Sequence, residues 1–200
     1  MPDTGAPYFI PFADPTDLVR DWPALSEDVA EAVADGLDEA GSAGIGSNVV
    51  QTVKTDTFST TSGTFEDVTG LAVTITPTSN TSKILIIADV SISTSATTNN
   101  TVQTRLVKAG SAIYVGDADG SRTQAAMSTR TAATSADSAE NRITSRTITF
   151  LDSPEIASAV TYGVQVRSDG GGTGFINRTG GISTVGATVA SSITAIEVSA

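Results

Sequence analysis

From Asn48 onward the chain alternates short apolar or β-branched runs with clusters of Ser, Thr, Asn and Gly. Several runs have period two. Leu71, Val73 and Ile75 fall on one side of an extended backbone, and Ala72, Thr74 and Thr76 on the other. Val160, Tyr162, Val164 and Val166 do the same against Thr161, Gly163, Gln165 and Arg167. Such alternation marks antiparallel sheet with one buried face. It predicts strands over 49–54, 71–76, 83–93, 101–108, 112–115, 142–151, 160–167 and 192–199, with one more hidden around 125–130. No amphipathic helix interrupts the series, which argues against parallel βαβ folds. About eight to ten strands in roughly 150 residues predict a mainly β fold, an antiparallel β-sandwich or jelly roll.

The run 83–93 departs from the pattern. Ile84, Ile86, Ala88, Val90 and Ile92 share one side, but the other side also carries Leu85 and Ile87. A strand apolar on both sides is normally buried on both. In a lone sandwich the outer side should be wet. Leu85 and Ile87 are therefore expected to meet either another subunit or a loop folded across them.

The first 40 residues are patterned differently. Val29, Val33 and Leu37 recur at i, i+4, i+8, with Ala30, Ala34 and Ala40 beside them. This predicts a short helix over 26–40, capped by Ser26 and stopped at Gly41. Its apolar stripe is narrow and flanked by small residues, which suits either association of several copies or docking on a larger partner. Upstream, Tyr8, Phe9, Ile10 and Phe12 are held between prolines and should be extended. So short a peptide cannot bury its own aromatics. It either docks on a partner or folds back on its own domain. Residues 14–23 read as a helical turn closed before Pro23, with the lone tryptophan, Trp22, as a packing anchor.

Composition sharpens this division. Residues 1–40 hold ten acids and one base, a net charge of −9 out of −11 for the chain, and five of its seven prolines lie in the first 23 positions. The acidity thus belongs to an N-terminal arm. The stretch 41–47, with three glycines and two serines, reads as a hinge, and 48–200 as the head domain.

The chain has no cysteine and no histidine, which removes disulfides, thiolate chemistry, His-based triads and HExxH metal sites. Its acidity argues against a nucleic-acid partner. No apolar run approaches the ~20 residues that span a bilayer, and no signal peptide opens the chain, so no membrane insertion is expected.

Candidate chemistry is sparse. Asp117 and Asp119 have the spacing of a calcium loop, but Ser128 stands where its twelfth-position acid belongs, so a turn with solvated aspartates is the better reading. The polar segment 117–140 should form an exposed loop, where Asp117, Asp119, Arg122 and Arg130 are candidate ligand contacts. The glycine-rich stretch 168–174 lacks the lysine and the strand–helix setting of a phosphate loop and reads as a second, mobile loop. Asp56, Glu66, Asp67, Asp89, Asp152, Glu155 and Glu197 supply carboxylates for a glycosidase dyad in principle, but nothing in their spacing pairs them. No enzyme activity, metal or cofactor is expected.

The arm PYFIPFADPTDLVRDWPALSEDVAEAV (residues 7–33) resembles the N-terminal segments of structural proteins in tailed bacteriophages. TFEDVTGLAVTITPTSNTSKILIIADVSIS (64–93), with the closing SSITAIEVSA (191–200), looks like the β-rich heads of phage fibre proteins. The resemblance implies that an N-terminal peptide attaches the protein to the virion. It also implies a trimeric sandwich head, similar in some members to the tumour-necrosis-factor and complement C1q heads. On that basis Tyr8, Phe9, Ile10, Phe12 and Trp22 are candidates for docking on a capsid, portal, tail or fibre-adaptor protein. Val29, Val33, Leu37, Leu85 and Ile87 are candidates for a homotrimer interface. The expected location is the phage particle surface, after assembly in the host cytoplasm. A bacterial surface glycan is the expected external ligand, and a tail or head fibre the expected role. A capsid decoration protein without a receptor is the alternative.

Overall fold

The computed structural model describes residues 22–42, 45–95, 100–130, 142–181 and 186–199; side chains of the helix are described over 26–37, and those of the first strand from 48. Among these residues one helix, α1 (Trp22–Ser42), precedes eleven strands. These are β1 (Ile45–Lys54), β2 (Phe58–Thr60), β3 (Glu66–Ile75), β4 (Lys83–Thr94), β5 (Thr101–Lys108), β6 (Ser111–Ile113), β7 (Met127–Arg130), β8 (Thr144–Asp152), β9 (Val160–Asp169), β10 (Gly174–Ile176) and β11 (Ser191–Val198).

The strands form two antiparallel sheets. Sheet A has six strands in the order β1-β11-β4-β10-β2, with β8 on the other edge of β4. Sheet B has five in the order β3-β9-β5-β6, with β7 also on β5. The fold is an antiparallel β-sandwich. Its core lies where the inward rows of the two sheets meet. Ile84, Ile86, Ala88, Val90, Ile92, Ile148, Ile193 and Ala195 come from sheet A, and Leu71, Val73, Ile75, Val102, Leu106, Tyr162, Val164 and Val166 from sheet B. Each set follows the two-residue period, so a strand's local alternation decides which side chains are buried.

All eight runs expected to be strands are strands, and the segment around 125–130 supplies β7. Several boundaries move. The helix opens at Trp22, not at Ser26. Pro23 therefore sits in the first turn, where its missing amide leaves no helical hydrogen bond unmade, instead of closing a preceding turn. Ser26 lies in the second turn and does not cap the helix. The helix passes through Gly41 to Ser42, and β1 already begins at Ile45, which pairs with Val198. Most of the stretch read as a hinge is thus helix or strand.

Two three-residue strands, β2 and β10, escape the sequence pattern. They pair with each other, and β10 continues the sheet past the end of β11 along Ile92–Thr94 of β4. The glycine-rich stretch is also more ordered than its composition suggests. Ser168 is buried, with its Oγ 3.0 Å from Asn100 Oδ1 and 2.9 Å from the Gly172 carbonyl, and β9 runs on to Asp169.

Buried polar groups tie the sheets together. Asp152, at the end of β8, accepts hydrogen bonds from Tyr162 Oη of β9 (2.7 Å) and from Lys108 Nζ of β5 (3.0 and 3.1 Å). Burial, and then the hydrogen bond to Asp152 and its charge, push the Tyr162 phenol far above its ordinary pKa. In the same cross-strand row, on the opposite side of Ile84 from Asp152, Glu197 of β11 is fully buried. It accepts from Thr78 N (2.8 Å), Thr78 Oγ1 (2.5 Å) and Asn48 Nδ2 (3.1 Å), locking β1 and the β3–β4 connection together. Burial alone would raise this carboxyl, but the donors outweigh it and hold the pKa at about 2.

Candidate functional site

The two outer faces of the sandwich differ in chemistry. On sheet A, register brings Val49 opposite Ile196, Ile196 opposite Leu85, and Leu85 opposite Leu151. These four residues from four strands form one apolar row across the sheet. Three strand spacings make it about 14 Å long. The next row is Gln51, Thr194, Ile87 and Thr149, in which Gln51 Nε2 donates to Thr194 Oγ1 at 2.9 Å. Val53 lies one row further on. Leu85, Ile87 and Ile196 are half-buried by their neighbours, but Val49 and Leu151, at the ends of the row, are 53% and 47% exposed. Among the described residues, no loop closes over the ends of this row.

Leu85 and Ile87 thus stand on one outer face, where the sequence placed them. Val49, Ile196 and Leu151 join them and were not anticipated. Each looks unremarkable in its own strand, and only the pairing of β1, β11, β4 and β8 aligns them. A faint signal was present in 191–198, where Ile196 and Val198 sit out of phase with Ile193 and Ala195.

On α1, Val29 is half-buried, while Val33 and Leu37 are 45% and 67% exposed, so the stripe read from the sequence is largely open. Tyr8, Phe9, Ile10 and Phe12 lie outside the described residues. Trp22 opens α1, but its side chain is not described.

The outer face of sheet B is polar. Rows formed by β9 and β5 pair Thr101 with Asp169, Gln103 with Arg167, Arg105 with Gln165 and Val107 with Gly163. Arg105 Nε donates to Gln165 Oε1 (2.8 Å), and Gln165 Nε2 donates to Asp67 Oδ1 (2.8 Å), so one hydrogen-bonded line crosses β5, β9 and β3. The Arg105 guanidinium lies 4.2 Å from the centroid of the Phe65 ring, a cation–π distance. Arg167 donates to Asp169 Oδ2 (2.6 Å) and to Thr123 Oγ1 (2.5 Å), which draws the β6–β7 connection onto this face. Gln103 Oε1 and Arg167 Nε, on neighbouring register positions, are buried without a described partner.

Of the candidate loop residues, Asp117, Asp119 and Arg122 are exposed in the β6–β7 connection, and Arg130 is exposed at the end of β7. Arg122 N donates to the Asp119 carbonyl at 3.1 Å, and its guanidinium pairs with the Asp119 carboxylate. With Gly120 at φ 56° this is a closed turn, the arrangement preferred over a calcium loop on sequence grounds. Among the described residues no group of three or more acids could hold a metal ion.

Five of the seven carboxylates considered for a catalytic dyad, all but Glu66 and Glu155, have separate structural partners. Asp56 pairs with the buried Lys54 at 2.8 Å, and that hydrogen bond lowers its pKa. Asp67 accepts from Gln165, Asp89 from Thr147 (3.4 Å), Asp152 from Tyr162 and Lys108, and Glu197 from Thr78 and Asn48.

No family model matches the chain, and no curated protein matches it. Among solved structures, it is similar to the infectious bursal disease virus VP2 subviral particle, at 12% identity and a TM-score of 0.34, over 76% of this chain and 38% of that one. A second structure, of the Gx strain of infectious bursal disease virus, matches at 14% identity and a TM-score of 0.31, over 76% and 36%. The chain therefore spans less than two-fifths of the length of the virus proteins it matches.

Proposed function

We propose that this protein is a virion structural component of the tailed-phage fibre type. Its N-terminal arm docks on another virion protein through Tyr8, Phe9, Ile10, Phe12 and Trp22. Three copies assemble their sandwiches side by side and present polar surface to the host. The observation that carries the reading is the open row Val49–Ile196–Leu85–Leu151. An apolar row across four strands, open at both ends, is what a sandwich built to pack against its own copies should display. The stripe Val33–Leu37 on α1 supplies a second surface of the same kind, next in the chain to β1. The likeness of residues 7–33 to phage attachment segments supports the role of the arm. Multivalency would then turn weak contacts to a surface glycan into firm adsorption.

The native mass of the full chain tests this. At 20.3 kDa per copy, a trimer has a mass of about 61 kDa. Leu85→Glu should shift the protein to monomer while leaving its β-sheet circular dichroism unchanged. A wild-type chain that is monomeric at high micromolar concentration would overturn the fibre-head reading and favour a decoration protein seated by the capsid lattice.

A further inference from the structure

The strand edges of the two sheets are not treated alike. An unpaired edge is a template for another strand, and folded proteins normally shorten, bulge or cover it. Here β2 and β6 have three residues each and β7 has four. β3 is broken by an irregularity between Asp67 and Ala72. β1 runs beside β3 along the flank of the sandwich, where Asn48 Nδ2 donates to the Thr76 carbonyl at 2.9 Å. β8 has none of these devices. It pairs residue for residue with β4 over all nine of its positions, without a bulge or a proline. Among the described residues no strand pairs with its other side.

The residues of β8 fit a second copy of themselves. Arg146, Ile148 and Phe150 stand opposite Val90, Ala88 and Ile86 of β4, on the side that faces the core. Ile148 is buried, Phe150 half-buried and Arg146 exposed. A charge on an edge strand normally turns a foreign strand away. The strand's own copy answers that charge. Two β8 strands laid antiparallel with all nine residues overlapping are centred on Ile148, and Arg146 of each then lies opposite Phe150 of the other. That is a cation–π pairing made twice. On the outer side Thr147 of each faces Thr149 of the other, a favourable cross-strand pair. Asp152, already bound to Lys108 and Tyr162, meets only Thr144, so no like charges oppose each other.

We infer that β8 is a self-pairing edge. Two copies of the chain add their β8 strands to each other about a two-fold axis at Ile148, and two copies of sheet A become one continuous sheet. This contact is separate from the packing proposed for the outer face of sheet A and does not rest on it. One edge pair buries far less surface than a stable dimer needs. The contact is therefore weak in dilute solution and gains strength where copies are held close together.

Because the chain has no cysteine, introduced thiols can trap the pair. Full-length Thr147→Cys and Thr149→Cys, both at exposed positions, are oxidised mildly at high protein concentration, each alone and the two mixed. Directly opposite residues come within disulfide reach, and diagonal ones do not. The mixture should therefore give a disulfide-linked dimer of about 41 kDa in about fivefold or more the yield of either variant alone. Adding Arg146→Glu to both variants should cut that yield several-fold and leave the β-sheet circular dichroism unchanged. Equal yields from the mixture and the single variants, or full yield with Arg146→Glu, would overturn the inference. The same cross-link in a Leu85→Glu background should persist. Its loss there would assign the contact to the outer face of sheet A and sink the edge pairing. Native mass reads the trimer and cross-linking reads the edge, so failure of one is distinguishable from failure of the other.

Discussion

The outer faces of sheets A and B are built on the same core by the same two-residue alternation, yet they have opposite chemistry. The face of sheet A lines up Val49, Ile196, Leu85 and Leu151 with no hydrogen bonds among their side chains to orient them. The face of sheet B lines up Asp67, Gln165 and Arg105 in consecutive hydrogen bonds, with Arg167 tied to Asp169 and Thr123. An apolar row gains most by leaving water altogether, which only another surface can provide. A hydrogen-bonded row can remain facing solvent with fixed geometry. The two faces thus differ in what they offer: sheet A turns an apolar row outward, and sheet B a hydrogen-bonded polar one.

Four perturbations should break or sharpen that contrast, in decreasing order of effect. Ile86→Ala removes a fully buried side chain from the shared core and should cost about 2–5 kcal/mol in chemical denaturation. Both faces should then be lost together, in one transition. If self-association survived the loss of cooperative unfolding, α1 and not sheet A would carry it.

Acidification comes next. The folded-state pKa of Glu197 is about 2, below its ordinary value of 4.5. Its contribution to stability is therefore complete above about pH 4.5 and is lost as the pH falls through the interval down to about 2. The loss should reach roughly 2–3 kcal/mol. In Glu197→Gln the acid-dependent part of that slope should flatten. An unchanged slope between pH 5 and 2 would show that other carboxylates govern acid unfolding.

Leu85→Glu should act on one face alone. Analytical ultracentrifugation should find monomer, while the melting temperature of the dissociated sandwich moves by less than the equivalent of about 0.5 kcal/mol, because the substitution is on the surface. Loss of folding together with mass would place Leu85 in the core and contradict the half-open row.

The smallest effect is the most pointed. Gly163→Ala fills a mid-strand glycine at a site with room for a methyl group, and should stabilise the protein by about 0.4–1 kcal/mol. A gain in melting temperature would show that β9 tolerates a side chain at position 163 despite the β3 bulge opposite it. A loss of stability would mean that the strand itself requires glycine.

Much of this was legible in the chain, because burial within one strand is a local property. Once 83–94 is extended, Ile84, Ile86 and Ala88 must share a side, whatever the strand pairs with. The eight strand runs and the odd double-sided apolarity of β4 were readable for that reason. The helix was also readable, but its start was not: Pro23 looked like a stop, and in a first turn it is harmless. β2 and β10 were not readable, since Phe58–Thr60 and Gly174–Ile176 belong to no run of alternating residues long enough to stand out. They are strands only because each finds the other and the free upper edge of β4.

The functional surfaces divide the same way. Leu85 and Ile87 were identifiable from the sequence as out of place, and α1 as a narrow apolar stripe. Nothing local could show that Leu85 aligns with Ile196 and Leu151, or that Asp67 reaches Arg105 across Gln165. Those alignments join positions about 40 to 110 residues apart, and register between strands is set by how all the inward rows pack at once. The sequence by itself determined which side chains face in, which face out, and that the outward set of β4 was too apolar for water. The tertiary structure alone decided which outward residues become neighbours, because cross-strand contact depends on non-local pairing that no single strand encodes.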